Sequence, residues 1–408
     1  MSLQFNLDII PHKLSESNPT DIIQINFKGK SKKQKVKFLI LRDLLNLDWQ
    51  IELCKNKIEV RPPKSYDKDT IKNAMSVKRE ELISKNKIWI SKHLDLARKN
   101  LANGFDVIES QIDPFIEVCE TKTQHSLFRM LRYSWSSPYS DYVGRRIKLL
   151  IRDRALPNKP IIGIAALGSS IIHIPERDEF IGWDIKTRTK NLVYTMDAFV
   201  IGALPPYNYL LGGKLISYLL ATNEVRKIYY KKYKNRKTII DKREANSLLG
   251  IFTTSLYGRS SQYNRLKIRD ELLYKEIGHT KGYGSLHLSN ETIQEMCSLL
   301  KSKGINVNHQ FGNGPSWVMR VIRTTGDLLG FDSNFLLKHS FKRNIYFIPL
   351  AKNSIEILSG NNKRPKYYNY TKKEVVEFWK ERWLKNRKTN SEVVFNVLNF
   401  KPENFNIF

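Results

Sequence analysis

The chain has 408 residues, 41% hydrophobic and 11% aromatic, which excludes a disordered polypeptide and leaves room for two or three domains. Lys and Arg number 69 against 40 Asp and Glu, and the net charge of +29 is far more than solubility needs. It points to a polyanionic partner, nucleic acid and DNA first among them, although scattered solvated lysines would give the same total, so clustering is the discriminator. Cys54, Cys119 and Cys297 lie far apart with no CxxC pair, which argues against a disulfide framework or a zinc knuckle. No signal-like segment opens the chain and no apolar run nears the roughly 18 residues of a membrane span, so a soluble, cytoplasmic protein without a membrane partner is expected.

Residues 1–110 form a first region. Ile22–Phe27 and Val36–Leu41 read as short strands, or as a strand and a helix start, around the basic GKSKKQKVK. Residues 49–61 alternate apolar and polar side chains about Lys55-Asn56, a hairpin pattern, and 67–103 carries the spacing of two lysine-rich helices closed at Gly104. A helix, a hairpin and a basic helix suit a winged DNA-binding module and equally a capping or oligomerisation domain.

Residues 111–290 are more strongly patterned. Strands are expected over 143–151, over the compact run PIIGIAAL (160–167), at Ile171–Ile174, at Ala198–Ile201 and over 248–256, with a basic helix over 186–194. After Pro205-Pro206, Leu210, Leu211, Leu215, Ile216, Leu219 and Leu220 recur at helical spacing, predicting one helix from Tyr209 to Tyr233. Gly212 and Gly213 fall in its first turn, where glycine costs about 1 kcal/mol relative to alanine, so something approaches the backbone closely there. The third region, 291–408, opens with a helix capped by Ser289 or Asn290. It continues through the break FGNGP (311–315), an amphipathic helix over 317–329, a strand over 345–350 and a helix over 371–388. The fold class is therefore α/β (α+β), a mixed central sheet flanked by N- and C-terminal α/β or helical regions.

Four groups of residues carry candidate chemistry. Asn208, Tyr209, Gly212, Gly213 and Lys214 form a loop at a helix N-terminus suited to an anion. It is not a Walker A, since Asn208 replaces the first glycine and Leu215 follows the lysine. It is similar to the strand-loop-helix with which GCN5-related acyltransferases hold the pyrophosphate of coenzyme A, which implies an acyltransferase-like core and a coenzyme A-like ligand. One of the two glycine positions of that pattern is kept and Lys214 occupies the other. The following YNRLKIRDELLYKEIGHTKGYGSLHL fits a Tyr-bearing helix, turn and strand. Arg177, Asp178 and Asp184, with Glu176 and Glu179, could hold Mg²⁺ for phosphodiester cleavage, or pair with nearby cations and cap helices. Arg259, Ser260, Ser261, Gln262, Tyr263, Asn264 and Arg265 make a donor-rich loop, suited to a phosphate or polar ligand or to internal hydrogen bonding. Arg226, Lys227, Lys231, Lys232, Lys234, Arg236 and Lys237, interleaved with Tyr229, Tyr230 and Tyr233, complement a helix C-terminus and have the make-up of a nucleic-acid groove. The eight histidines show no metal-ligand spacing.

The motifs GRRIKLLIRD (144–153), PIIGIAAL, RDEFIGWD (177–184), TMDAFVIGALPPYNYLLGGKLISYLLATNEV (195–225), TTSLYGRSSQYNRL (253–266) and IGHTKGYGSLHL (277–288) resemble the DruA-type proteins of Druantia anti-phage defence systems. Weaker matches follow at FGNGPSW (311–317) and FWKERWLKNR (378–387), so the resemblance covers about residues 110–390. It implies a cytoplasmic component that acts with other defence proteins, including a large helicase-like subunit. It transfers no catalytic residue.

Overall fold

The computed structural model describes residues 3–6, 31–54, 57–63, 66–139, 144–238, 242–285, 287–306, 317–331, 336–361 and 363–408. The strand expected at Ile22–Phe27 and the FGNGP break lie outside them. The chain divides into two compact units, each built from two stretches: 1–80 with 281–342, and 81–280 with 343–408.

In the first unit, strands Leu3–Asn6, Lys57–Arg61 and Gln50–Cys54 form an antiparallel sheet that includes the expected hairpin. Residues 36–41 lie within a helix, Lys32–Leu45, opened by a capping box in which Gln34 N donates to Ser31 Oγ and Ser31 N to Gln34 Oε1. Its buried Val36, Leu39, Ile40 and Leu44 face inward, and it packs on helix Asn290–Ser302. Asp43, buried on the first helix, accepts from Ser289 N and Thr292 Oγ1, both at 2.6 Å, so its carboxylate satisfies the N-terminus of the second helix. Arg42 to Glu291 (2.7 Å) and Lys35 to Glu295 (2.8 Å) join the same pair of helices.

The second unit is organised on a seven-stranded sheet. Its strands are β1 (Pro114–Val118), β2 (Arg146–Asp153), β3 (Ile161–Ser169), β4 (Thr195–Ala203), β5 (Gly250–Thr254), β6 (Lys275–His279) and β7 (Asn344–Pro349). They lie in the order β6-β7-β5-β4-β3-β2-β1, with β4 and β5 parallel and the other neighbours antiparallel. Its helices include α1 (Gly104–Glu109), α2 (Lys122–Arg132), α3 (Pro175–Ile181), α4 (Ile185–Asn191), α5 (Gly212–Leu220), α6 (Asn223–Tyr233), α7 (Lys372–Trp379) and α8 (Ser391–Leu398).

Side chains alternate across the sheet with the period of two that strand geometry dictates. Leu150, Ile164, Ala166 and Val200 join Phe128 and Leu131 of α2 in one core. Leu149, Ile151, Ala165 and Leu167 join Leu215, Ile216 and Leu219 of α5 in the other. Each fully buried leucine, isoleucine, valine or phenylalanine among them contributes about 1.5–3 kcal/mol.

Four expectations are corrected. Ile171–Ile174 forms no strand; Ile171 and Ile172 are exposed and their carbonyls accept hydrogen bonds from Arg177. The long helix from Tyr209 is two helices: Ala221 N and Thr222 N close tighter turns onto Tyr218 O and Leu219 O, both at 3.1 Å, and Asn223 N donates to Tyr370 O at 3.0 Å instead of continuing the ladder. YNRLKIRDELL makes no helix: it is a turn and the short hairpin Lys267–Ile268 with Glu271–Leu272, reversed at Arg269 and Asp270 with φ of 47° and 62°. Finally, β7 comes from the C-terminal third of the chain and inserts between β5 and β6, so that region completes the core sheet.

Burial generates a pH dependence in the first unit. His287 is buried, with Nε2 2.8 Å from Leu336 O, and desolvation pushes its pKa down to about 4. The folded value lies below the unfolded value of about 6.5, so the unfolded chain takes up the proton first and stability falls as pH drops through that window. Between pH 7 and pH 5 the loss from this group is about 2 kcal/mol. Urea unfolding at the two pH values should show that loss in the native protein and a smaller one in His287→Gln.

Candidate functional site

β4 and β5 pair through Thr195–Asp197 and Gly250–Phe252 and then part. β4 runs on to Ala203, and side chains take the place of the missing strand partner. Thr253 Oγ1 donates to Ala198 O at 2.8 Å. Gln262 Nε2 donates to Ile201 O at 3.3 Å and to Ser217 Oγ at 3.1 Å. A cavity of about 460 Å³ occupies the split, walled by Ile201–Ala203, the Gly212-Gly213 loop, Trp135–Ser137, Leu256 and the Ser261-Gln262 turn.

The loop that leaves β4 is fixed from below. Leu204, Tyr207 and Leu210 are buried, and Tyr207 OH donates to Asp153 Oδ2 at 2.9 Å on the last residue of β2. Burial and that carboxylate push the Tyr207 pKa well above the ordinary phenol value. Leu211 takes a left-handed φ of 59°, and its carbonyl accepts from Trp379 Nε1 at 3.2 Å.

The glycine pair now has a physical cause. A Cβ on Gly212 would stand 2.7 Å from Tyr207 O, and one on Gly213 would stand 2.9 Å from Gln262 Oε1. The first glycine lets the loop close on itself and the second lets the polar turn approach.

Lys214 joins the two walls. Nζ donates to Ser261 O at 2.5 Å and reaches Asn264 O at 3.5 Å, while lying 4.5 Å from the centre of the Trp383 ring. Burial, reinforced by Arg382 and Arg265, pushes its pKa down to about 8. Ser260, Tyr263 and Asn264 are engaged within the fold: Ser260 N donates to Tyr346 OH, Tyr263 stacks at 5.3 Å on Tyr274, and Asn264 Oδ1 accepts from Tyr346 OH. Arg259 and Arg265 are exposed on the outside of the turn. The anion loop and the polar loop, far apart in sequence, thus share one cavity at Asn208, Gly213, Lys214, Ser261 and Gln262, and no carboxylate lines it. Tyr209 is exposed and outside the cavity wall.

The acidic candidates lie elsewhere and serve the fold. Arg177 and Asp178 are both buried; Arg177 donates to Asp178 Oδ1 through Nε (2.9 Å) and Nη2 (2.6 Å), and Arg188 Nη1 reaches Asp178 Oδ2 at 2.7 Å. Asp184 caps α4, accepting from Thr187 N at 2.6 Å, which lowers its pKa. Among the described residues no three His, Cys, Asp or Glu side chains gather as a metal site.

The basic group on α6 is divided by its own periodicity. Tyr229 and Tyr233 point inward, where Tyr229 OH accepts from Arg145 Nη1 and Tyr233 OH from Arg146 N at 2.9 Å, so these two are core residues and not stacking platforms. Tyr230, 52% exposed, shares the outer face with Lys227, Lys231 and Lys234. Arg226 lies 4.0 Å over the Tyr367 ring. Lys237 bridges to Glu244 through the backbone. The surface extends beyond the helix: burial first, then Arg236, lower the pKa of Lys232, and burial followed by Lys148, Lys232 and Arg146 lowers that of His125. Sequence reading missed the part of this face contributed by α2 and β2, and it missed Trp135–Ser137, which sit in an aperiodic SWSSP loop.

A mixed seven-stranded sheet that opens at its parallel pair onto an uncharged-to-cationic cavity defines an α/β protein with a built internal cleft. The family model described as Druantia protein DruA matches residues 65–360. The Druantia protein DruA of Escherichia coli (strain UMEA 4076-1) is 37% identical over 322 residues, 78% of this chain and 79% of that one. The chain belongs to the DruA family, whose members are components of the Druantia anti-phage defence system. No solved structure matches.

The Arg177-Asp178-Arg188 cluster predicts a large structural effect. Asp178→Ala leaves a buried guanidinium without its counter-charge and should lower the unfolding free energy by about 3–5 kcal/mol in chemical denaturation. Asp184→Ala, whose carboxylate faces solvent, should change it far less.

Proposed function

We propose that this protein is the nucleic-acid-engaging component of a Druantia anti-phage defence system, acting on DNA beside other proteins of the system, a helicase-like subunit among them, in the cytoplasm. The observation that carries the reading is the outer face of α6, where the exposed Lys227, Lys231 and Lys234 recur at helical spacing, while the half-buried Lys232 on another side of the helix lies near Arg146 and Arg236. Like charges gathered on one exposed face repel one another, and a polyanion relieves that cost. Tyr230 adds an exposed ring to the same face.

Affinity for a DNA duplex should fall steeply with salt. The triple change Lys227→Glu, Lys231→Glu, Lys234→Glu should reduce it more than tenfold at 50 mM salt and flatten the log–log salt slope by about 3, since each phosphate contact contributes about 0.9. Fluorescence anisotropy reads both quantities, and no binding by the native protein at low salt would remove the proposal.

The cavity favours a second reading, group transfer at the Gly212-Gly213 loop by an acyltransferase-like core. The strand β4, the loop and α5 supply the unit with which such enzymes hold the pyrophosphate of coenzyme A, and Lys214 supplies a cation at its edge. The absent helix after the polar turn counts against close likeness. Isothermal calorimetry with coenzyme A and acetyl-coenzyme A should give binding that Gly213→Leu abolishes, because a side chain there displaces Gln262. Absence of heat with the native protein would sink this reading and leave the first untouched.

A further inference from the structure

α8, SEVVFNVL, is apolar on two sides. Val393 and Val397 are buried in the core, while Phe395 is 66% exposed and Leu398 40%, with Val394 half-buried between them. A surface helix ordinarily turns its apolar residues to the core, and this one leaves Phe395 and Leu398 outside it.

α1 extends the uncovered surface. Gly104 N donates to Phe400 O at 2.9 Å, and a Cβ on Gly104 would fall 1.6 Å from Val397 O, so glycine is what lets the two helices meet. The next residue, Phe105, is 62% exposed. The charges on these helices invert those of the whole molecule. In a chain with 69 Lys and Arg against 40 acids, α1 and α8 carry the exposed carboxylates of Asp106, Glu109 and Glu392 and no Lys or Arg. Lys388 reaches this region, and its ammonium is engaged by Ile108 O at 2.6 Å and Ser110 O at 2.9 Å.

We propose that Phe105, Val394, Phe395 and Leu398, rimmed by Asp106, Glu109 and Glu392, form a docking surface for another protein, one whose contacting segment presents apolar side chains flanked by Lys or Arg. Exposed phenylalanines grouped on rigid helices are the anchors that dominate protein interfaces, and the acidic rim selects a basic partner and repels nucleic acid. The proposal rests on membership of a multi-protein defence system and is independent of the nucleic-acid reading.

Co-expression of the full chain with the other proteins of its Druantia system, followed by affinity purification, provides the test. The native protein should retain a system partner. Phe105→Ser with Phe395→Ser should reduce its recovery at least tenfold, as should Asp106→Lys with Glu109→Lys and Glu392→Lys, with thermal unfolding unchanged because every altered side chain is exposed. DNA affinity of the serine pair should equal that of the native protein. Recovery of no partner, or of a partner that both variants retain, would overturn the proposal. So would a native dimer that the serine pair converts to monomer, which would make the surface a self-interface, or loss of DNA binding in that pair.

Discussion

The second unit depends on the parting of β4 from β5 after three paired residues. A buried carbonyl without a donor costs about 1–3 kcal/mol, so a sheet that opens in its interior must supply donors from elsewhere. Thr253 and Gln262 do so for Ala198 O and Ile201 O, and the two substitutes reach into the gap from successive parts of one segment. Gln262 also binds Ser217 Oγ, whose own donation goes to Gly213 O at 2.9 Å. One carboxamide therefore joins the open strand, α5 and the polar turn. The cleft is a product of hydrogen-bond satisfaction and not of loose packing.

Charge is handled differently in different parts of the molecule. The buried Arg177 is matched by Asp178 and by the carbonyls of Ile171 and Ile172, which engage four of its five N–H donors within the fold. Lys214 donates to carbonyls and meets no carboxylate in the cleft wall, while burial first, and then Arg382 and Arg265, push its pKa down to about 8. On α6, Lys227, Lys231 and Lys234 stand exposed on the outer face. The same residue types thus serve as a core staple, a cleft wall and a surface field, according to what faces them.

Much of the frame was legible in the sequence because periodicity and capping are local. The run PIIGIAAL is β3, the hairpin at 49–61 is present, and Ser289 caps its helix as read. The glycine pair announced a close approach, and the approach is real. Its partners, Tyr207 O and the Gln262 side chain, are set by tertiary contacts that no local pattern encodes. The same limit hid the inward turn of Tyr229 and Tyr233, which sit four residues apart on the buried side of α6, and the break at Thr222, after which Asn223 N donates to Tyr370 O from a distant part of the chain. It also hid the arrival of β7 from a distant part of the chain. For Asp178 and Asp184 the sequence offered both a cation site and pairing with nearby cations or helix capping, and the structure has Asp178 held by Arg177 and Arg188 and Asp184 capping α4.

The walls of the cleft are tied across its edge by Ser136 Oγ and Tyr257 OH, 2.5 Å apart and exposed. Behind Ser136, the Arg132 guanidinium grips Ser137 O and Oγ at 2.9 and 2.7 Å, so the wall itself stays anchored. Water can replace either hydroxyl at a net cost of about 1 kcal/mol, so this exposed tie adds little to the anchoring that Arg132 provides.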